Sequence, residues 1–441
     1  MVSAESSQLQ LVDLQLPTER STCALTATTS LPPRPASPAL ATRSPPRVGY
    51  VFSDPLRRAA DRLPSNVMRS TFTHSLIAAY GFPKHMIHLL PALPTKEELC
   101  RGHSDAFVDF LTTVDEREIE SDTSKAECEQ FGLQHDCPVF DGLATYVSLV
   151  VGGTLAGARA LVDGSVDVAI HWDGGRHHAT RDRAAGFCYV NDIVIGIIEL
   201  QRRFKRILYL DIDVHHGDGV ESAFLFSPRV YTCSFHLHDL GFYPGTGGSS
   251  SVGRGKGTHH ALNVPLRRGL RSPTFMHVVK SVVSEIYACY NPDCIVLQCG
   301  ADGANGNLSG GKGDERGEGW NLNPNVFADV VAFLHGLPDT IVRTQQERTV
   351  PDRCPILILG GGGYHNATTA RCWAAATASA INDPRVPIPA ADDDVPEHAL
   401  WAEYAAARPH VGTRADENGK GGYIDTLLER TITAIQKLRV N

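Results

Sequence analysis

The chain has 441 residues, of which 42% are hydrophobic and 20% charged, an ordinary globular composition. Its formal charge of −8 excludes a general nucleic-acid binder, which needs a basic field, and suits a basic peptide partner better. Eleven cysteines without any CxxC pair fit neither a disulfide framework nor a zinc ribbon. Runs such as "YACYNPDCIVLQCG" instead use the thiol as a small hydrophobe, which points to a reducing compartment.

Residues 1–46 are rich in Ser, Thr and Pro and are expected to be a disordered tail, with one catalytic domain over 47–441. No basic-then-apolar leader opens the chain, and no segment reaches 18 uninterrupted apolar residues, so neither a signal peptide nor membrane attachment is expected. "VGYVFS" reads as a first strand. "STFTHSLIAAYGF" reads as an amphipathic helix, with Phe72, Leu76 and Tyr80 on one face and a stop at Gly81 and Pro83. Beyond it, "SVDVAIHW", "RILYLDID", "RVYTCSF", "DCIVLQCG" and "PILILGGGG" alternate with helical segments. Apolar runs without period-two alternation suit strands covered on both faces. The expected fold is therefore α/β: one mostly parallel sheet with helices on both sides.

Four of these strands lead into chemistry. "VAIHWDGGRHH" leads to His177 and His178, "YLDIDVHHGD" to an acidic and imidazole cluster, "IVLQCGAD" to Asp302, and "LILGGGGY" to Tyr364. In an open α/β sheet, ligands bind beyond the carboxyl ends of the strands, so a parallel sheet makes these segments converge. Asp211, Asp213 and His215 would share one face of an extended strand but span roughly 13 Å, too far for one small cation. Asp213 and His215 can meet a cation where the strand ends, and Asp302 is the candidate third ligand. Two oxygens and one nitrogen with an open position suit catalytic zinc. Asp211 can orient a histidine from the neighbouring strand and Asp218 a second one, making His–Asp dyads of His177 and His178. The glycines at 360–363 let backbone approach a ligand and deliver the Tyr364 hydroxyl to a developing oxyanion. Each motif alone has a bland reading: a histidine pair at a surface, a D-x-D cap, a glycine loop, a half-buried tyrosine. Their joint occurrence at successive strand ends outweighs these.

The segments "THSLIAAYG", "HDCP", "RHHA…GFCYVND", "YLDIDVHHGDGV", "GFYPGTG", "QCGAD" and "LILGGGGYHNATTARCW" resemble the class I zinc-dependent histone deacetylases, nearest their type-eight branch, over about residues 48–440. The helix "HSLIAAY" and the short end after "VPEHALWAEY" favour that branch. The resemblance implies an arginase/deacetylase-like fold and hydrolysis of acetyl (acyl) groups from lysine side chains of histones or other proteins. It implies zinc on Asp213, His215 and Asp302, proton transfer by His178 beside His177, and carbonyl polarisation by Tyr364. It also implies a substrate tunnel at Gly186, Phe187, Tyr243 and Gly362, a rim carboxylate at Asp136, and a buried arginine, Arg69, at the pocket foot. Two potassium sites are implied as well. One would use Asp211, Asp213, His215, Ser234 and Phe235; the other would use Phe224, Ser227, Val230 and His260. Expected partners are acetyl-lysine peptides, with no nucleic acid and no membrane, in the nucleus and/or cytoplasm; corepressor partners are not assigned.

Three departures stand out, one of them after "GAD", where the family's acidic residue and tunnel-lining Leu or Met give way to Asn307 and then Leu308 or Ser309. Arg176 replaces the tryptophan that usually precedes the histidine pair, and the Gly-rich stretch at 303–319 reads as an insertion at the pocket rim. The basic cluster "QRRFKR" at 201–206 reads as a solvated helix rather than a localisation signal. Two other readings remain: an arginase-like ureohydrolase with two manganese ions, and a catalytically silent acyl-lysine reader.

Overall fold

In a computed structural model, residues 44–116, 122–305, 319–340, 353–406 and 415–439 are described. The chain divides after Ser44, and the architecture below belongs to the unit that starts at Pro45. Most of the Ser/Thr/Pro-rich tail and residues 306–318 of the expected insertion lie outside the described residues.

The centre is an eight-stranded sheet whose strand pairs are all parallel. In chain order the strands are β1 (Val48–Val51), β2 (Ile87–Leu89), β3 (Val168–His171), β4 (Ile207–Asp211), β5 (Val230–Leu237), β6 (Ala261–Leu266), β7 (Cys294–Gln298) and β8 (Ile356–Leu359). Across the sheet they run β2-β1-β3-β8-β7-β4-β5-β6. Every residue of β3, β4, β5, β7 and β8 is buried, as expected for apolar runs covered on both faces. Strands β2 and β6 were not legible as strands. The first has only three residues, and the second, "ALNVPL", contains Pro265, which an edge strand tolerates because it need not donate to a further neighbour.

Helices cover both faces. Leu143–Asp163 is long and apolar enough to cross a bilayer, but 72% of its most apolar window is buried inside the fold. Gly157 brings it against the sheet, since a Cβ there would meet Ala169 of β3 at 3.3 Å and Leu357 of β8 at 3.1 Å. The helix foreseen around "STFTHSLIAAY" spans Arg69–Ala79, and Gly81 takes the positive φ (72°) that lets the chain turn away. The basic cluster at 201–206 is not a helix. The helix Asp192–Leu200 ends before it, and the segment is a turn into β4, where Arg206 pairs with Asp293 and Arg203 donates to the carbonyl oxygens of Leu161 and Val162. The aromatic Phe204 between these arginines is buried and pins the turn to the core.

Strands β3, β8, β7 and β4 are consecutive across the middle of the sheet. These are the four whose carboxyl ends lead to His177/His178, Tyr364, Asp302 and Asp213/His215. The late strands β7 and β8 insert between two early ones, and this brings residues about 190 positions apart in the chain to one crevice.

Candidate active site

The segment after β4 builds the floor of the site. Strand pairing ends at Asp211, and the chain then folds around its own carboxylates. The Asp213 amide donates to Asp211 Oδ1 (3.1 Å), and the His215 amide donates to Asp213 Oδ1 (3.0 Å). Asp213 and His215 are thus off the strand, in the turn that the spacing argument required. From the end of β7, Asp302 joins them and accepts the Val214 amide at 2.9 Å. The ligand atoms of Asp213, His215 and Asp302 lie within 4.8 Å of one another, and all three residues are buried.

These residues fit a divalent metal. His215 Nδ1 lies 3.1 Å from Asp213 Oδ1 and 3.0 Å from Asp302 Oδ2, so one nitrogen and two oxygens converge on one point. Burial opposes charge on His215, but hydrogen bonds to Asp213 and Asp302 push its pKa up to about 10. Positive charge is therefore strongly favoured at this point. Burial also raises Asp302, with the Asp213 carboxylate adding to it, up to about 6. A divalent cation would relieve that repulsion and pull both carboxylates down. Asp213 is held from further sides by Gln298 Nε2 (3.0 Å) and the Gly362 amide (2.8 Å).

Both expected dyads are present: His177 Nδ1 lies 2.8 Å from Asp211 Oδ2, and His178 Nδ1 lies 2.7 Å from Asp218 Oδ1. One part of the expectation is corrected. His177 does not come from a strand next to β4, because β8 and β7 separate β3 from β4. The loop after β3 carries the histidines across the strand ends, with Asp192 fixing it through the amides of Gly175 (3.0 Å) and Arg176 (2.8 Å). Asp211 also accepts from the Tyr209 hydroxyl at 2.6 Å. The two imidazoles are driven apart. Burial would lower His177, yet the charges of Asp211 and Asp213 push it up to about 9, while burial and the charge of His177 push His178 down to about 4. A cation on Asp213 would take back part of the rise at His177. His178 is thus the neutral member, able to accept a proton at the nitrogen not held by Asp218.

Tyr364 follows the glycine run after β8, and its ring lies 5.6 Å from that of Phe187. Burial, then the charges of Asp302 and Asp213, hold its hydroxyl pKa well above the phenol range, so it stays a proton donor. Arg69 is buried at the expected foot. It donates to the carbonyl oxygens of Gly361 (2.9 Å) and Gly363 (3.0 Å) and stacks over Trp373, which clamps the loop that presents Tyr364. Gly362 was assigned to the substrate tunnel; its amide binds Asp213, and a Cβ there would come within 2.2 Å of Asp302 Oδ2.

The residues expected at the rim and tunnel also lie close by. Asp136 accepts the Gly186 amide at 2.7 Å. Gly186 and Phe187 both have positive φ (55° and 63°), and the Tyr243 ring lies 4.9 Å edge-on from His178. Sequence reasoning missed Phe242, which stacks on His215 at 5.1 Å, and it missed Gln298 and Tyr209. Tyr209 was findable, since period two puts it on the face of Asp211.

The residues proposed for potassium fall into two groups. Ser234 is in register with Asp211 on β5, next to Phe235, and its hydroxyl lies 2.9 Å from His236 Nδ1. In the second group the Ser227 amide donates to the Phe224 carbonyl (2.8 Å), Val230 opens β5, and the His260 carbonyl accepts the Thr232 amide (2.9 Å).

Residues 63–380 match the family model "Histone deacetylase domain". The chain is 36% identical to histone deacetylase 8 of Xenopus tropicalis over 356 residues, covering 80% of this chain and 88% of that protein. It is 37% identical to histone deacetylase 8 of Danio rerio over 357 residues, 81% of this chain and 86% of that one. Matched across most of its length, with the strand ends assembled as described, the chain belongs to the histone deacetylase family.

Proposed function

We propose that this protein is a zinc-dependent hydrolase that removes acetyl groups from lysine side chains of histones or other proteins. The observation that carries it is the assembly in one crevice of a buried Asp–His–Asp triad, two His–Asp dyads and a protonated tyrosine.

Asp213, His215 and Asp302 would hold the zinc, and when bound it supplies a Lewis acid that polarises the acyl carbonyl and makes water acidic. His178 takes the proton of the attacking water, because it alone of the two imidazoles is held neutral. Asp218 fixes its tautomer and stabilises the imidazolium that forms. His178 then returns the proton to the departing lysine amine. His177, carrying positive charge toward Asp211 and Asp213, keeps His178 from charging early. Tyr364 donates to the carbonyl oxygen as it becomes anionic, a contact stronger in the transition state than in the ground state. Gly186, Phe187 and Tyr243 line the lysine chain's path, and Asp136 at the rim accepts backbone amides of the peptide. Potassium on the two groups around β5 would be structural, the first of them beneath the metal triad. A silent acyl-lysine reader would have no use for two dyads tuned in opposite directions.

The test is turnover of an acetyl-lysine peptide by the purified protein together with metal quantification. One zinc per chain with turnover abolished by a chelator and restored by zinc is the expected result. A protein that binds the peptide without hydrolysing it would be a reader instead.

A further inference from the structure

The basic cluster at 201–206 and the far end of the sheet play no part in the reaction above. At the amino ends of β1, β3 and β8 lies an open cavity of about 250 Å³, lined by the three arginines Arg47, Arg203 and Arg353. Asp167 is the acidic residue among the described lining residues, and the buried Leu161 and Val166 form an apolar side. Three guanidiniums thus meet one carboxylate, on a chain whose net charge is −8.

Backbone pairing fixes the wall. The Asp167 amide donates to the Arg47 carbonyl at 2.8 Å, and the Ile356 amide donates to the Asp167 carbonyl at 3.1 Å, so the three strand entries stand side by side. Asp167 anchors Arg47, whose Nε donates at 3.2 Å and Nη2 at 2.8 Å. Arg203 reaches over from the turn before β4 and caps the helix Leu143–Asp163, its Nη1 donating to the Val162 carbonyl at 2.7 Å. Gly164 makes room for it, since a Cβ there would lie 2.9 Å from Arg203 Nη1. These contacts hold the side chains in place and leave donors over. Arg47 Nη1 and Arg203 Nε and Nη2 have no hydrogen-bond partner among the described residues. Burial opposes ionisation of Asp167, yet hydrogen bonds from Arg47 and the charges of Arg47 and Arg353 hold it below the usual carboxylate range. One ionised carboxylate cannot balance three guanidiniums, so the cavity attracts a further anion. The planar fork of a guanidinium matches the oxygens of a phosphate group in geometry as well as in charge.

We propose that this cavity binds a phosphate group, either inorganic phosphate or a small phosphate monoester whose organic part rests on Leu161 and Val166. The site shares no residue with the crevice and stands or falls independently of the deacetylase assignment. The volume lies just below the roughly 300 Å³ at which pockets for drug-sized ligands begin, so it suits a phosphate with a short organic group rather than a nucleotide. An anion there would join the entries of β1 and β8 to the turn before β4, so its binding raises resistance to unfolding.

Thermal unfolding of the zinc-loaded full chain tests it, with sodium phosphate or phenyl phosphate set against sodium chloride at equal ionic strength. The series is repeated in Arg203→Gln and in Arg353→Gln. The expected result is a saturable stabilisation by phosphate beyond that of chloride, weakened at least tenfold in apparent affinity in one variant or both. Tighter binding of phenyl phosphate than of phosphate identifies a monoester as the occupant, and equal or weaker binding identifies inorganic phosphate. Because Arg203 also caps a helix, Arg353→Gln and the wild-type comparison carry the decision should Arg203→Gln not fold. A phosphate effect no larger than that of chloride overturns the site. So does a phosphate effect that weakens less than tenfold in both variants, which would place the anion elsewhere, on the metal triad for instance.

Discussion

Gly186→Ala is the substitution whose effect follows most directly from measured distances. A Cβ at this position would lie 2.4 Å from His178 Cδ2, 2.8 Å from His178 Cγ and 2.8 Å from the Tyr243 hydroxyl. To reach ordinary contact the imidazole must retreat by about 1 Å, which strains the 2.7 Å bond to Asp218. A displacement of that size at a reacting group costs on the order of 10² in rate. The backbone adds a separate penalty, because φ is +55° and a side chain in the left-handed region costs roughly 1–2 kcal/mol of stability. Gly421→Ala separates the two effects, since its φ is +64° but nothing lies within 4 Å of its Cβ. Both variants should lose similar stability in urea unfolding. Only Gly186→Ala should lose about 10² in kcat/KM on an acetyl-lysine peptide, with its zinc content unchanged. Turnover by Gly186→Ala within twofold of wild type would refute the placement of His178 against this glycine.

His178→Ala should nearly abolish deacetylation and leave bound zinc unchanged, because the imidazole moves protons without ligating; kinetics with metal analysis checks this, and activity within tenfold of wild type removes the role. Tyr364→Phe should lower kcat by about 10² while peptide affinity barely changes, as expected when one oxyanion donor is lost; unaffected turnover would put the hydroxyl outside the pocket. Asp136→Ala should weaken peptides more than a small acetyl-lysine analogue, by roughly 1.5–3 kcal/mol for each charge-assisted bond lost. Because Asp136 also holds the Gly186 amide, equal losses on both substrates would show that it acts only on the loop. Buried His103, whose Nε2 accepts the Asn191 amide at 2.9 Å, is pushed by burial down to about 4. A neutral-only histidine contributes its full stability above the unfolded pKa near 6.5 and loses it as pH falls from there toward 4. Urea unfolding should therefore weaken between pH 7 and 5, less steeply in His103→Gln; identical slopes would show that His103 charges freely in the folded state.

What the sequence disclosed and what it withheld follow from the range of the forces involved. Strands β3, β4, β7 and β8 were legible because burial on both faces demands unbroken apolar runs, and the polar residues that interrupt them stand where each strand ends. The convergence of Asp213, His215 and Asp302 was legible for the same reason. Asp213 and His215 are local neighbours, and a parallel sheet leaves Asp302 little choice of place. Strand order was not legible. Nothing in "SVDVAIHW" records that β8 and β7 will insert between it and β4, because that depends on which apolar faces pack together across the whole chain. Hence the structure brings each histidine to the aspartate expected beside it, but His177 reaches Asp211 by a loop and not from a neighbouring strand. Phe242 and Gln298 were invisible because stacking on His215 and bonding Asp213 are long-range contacts between ordinary residue types.

The site's charge arrangement explains why so many of its neighbours are glycines. Four aspartates and three histidines are brought within a few contacts of each other, largely by turns rather than by regular structure, so backbone amides must reach carboxylates directly. A Cβ at Gly217 would lie 2.1 Å from Asp211 Oδ2, one at Gly300 would lie 2.0 Å from Asp213 Oδ2, and one at Gly362 would lie 2.2 Å from Asp302 Oδ2. Each of the three buried aspartates is thus crowded by one glycine. An alanine at any of them would push a carboxylate away from the partner that sets its role: His177 for Asp211, His215 for Asp213 and Asp302. Gly300→Ala and Gly362→Ala should therefore lower zinc affinity. Gly217→Ala acts on Asp211, whose partner is His177, so it should lower turnover and spare the metal. Metal titration of the three variants by competition with a chromogenic chelator, run beside turnover, distinguishes the two outcomes. Equal loss of zinc in all three would mean that Asp211 shapes the metal site itself rather than the histidine beside it.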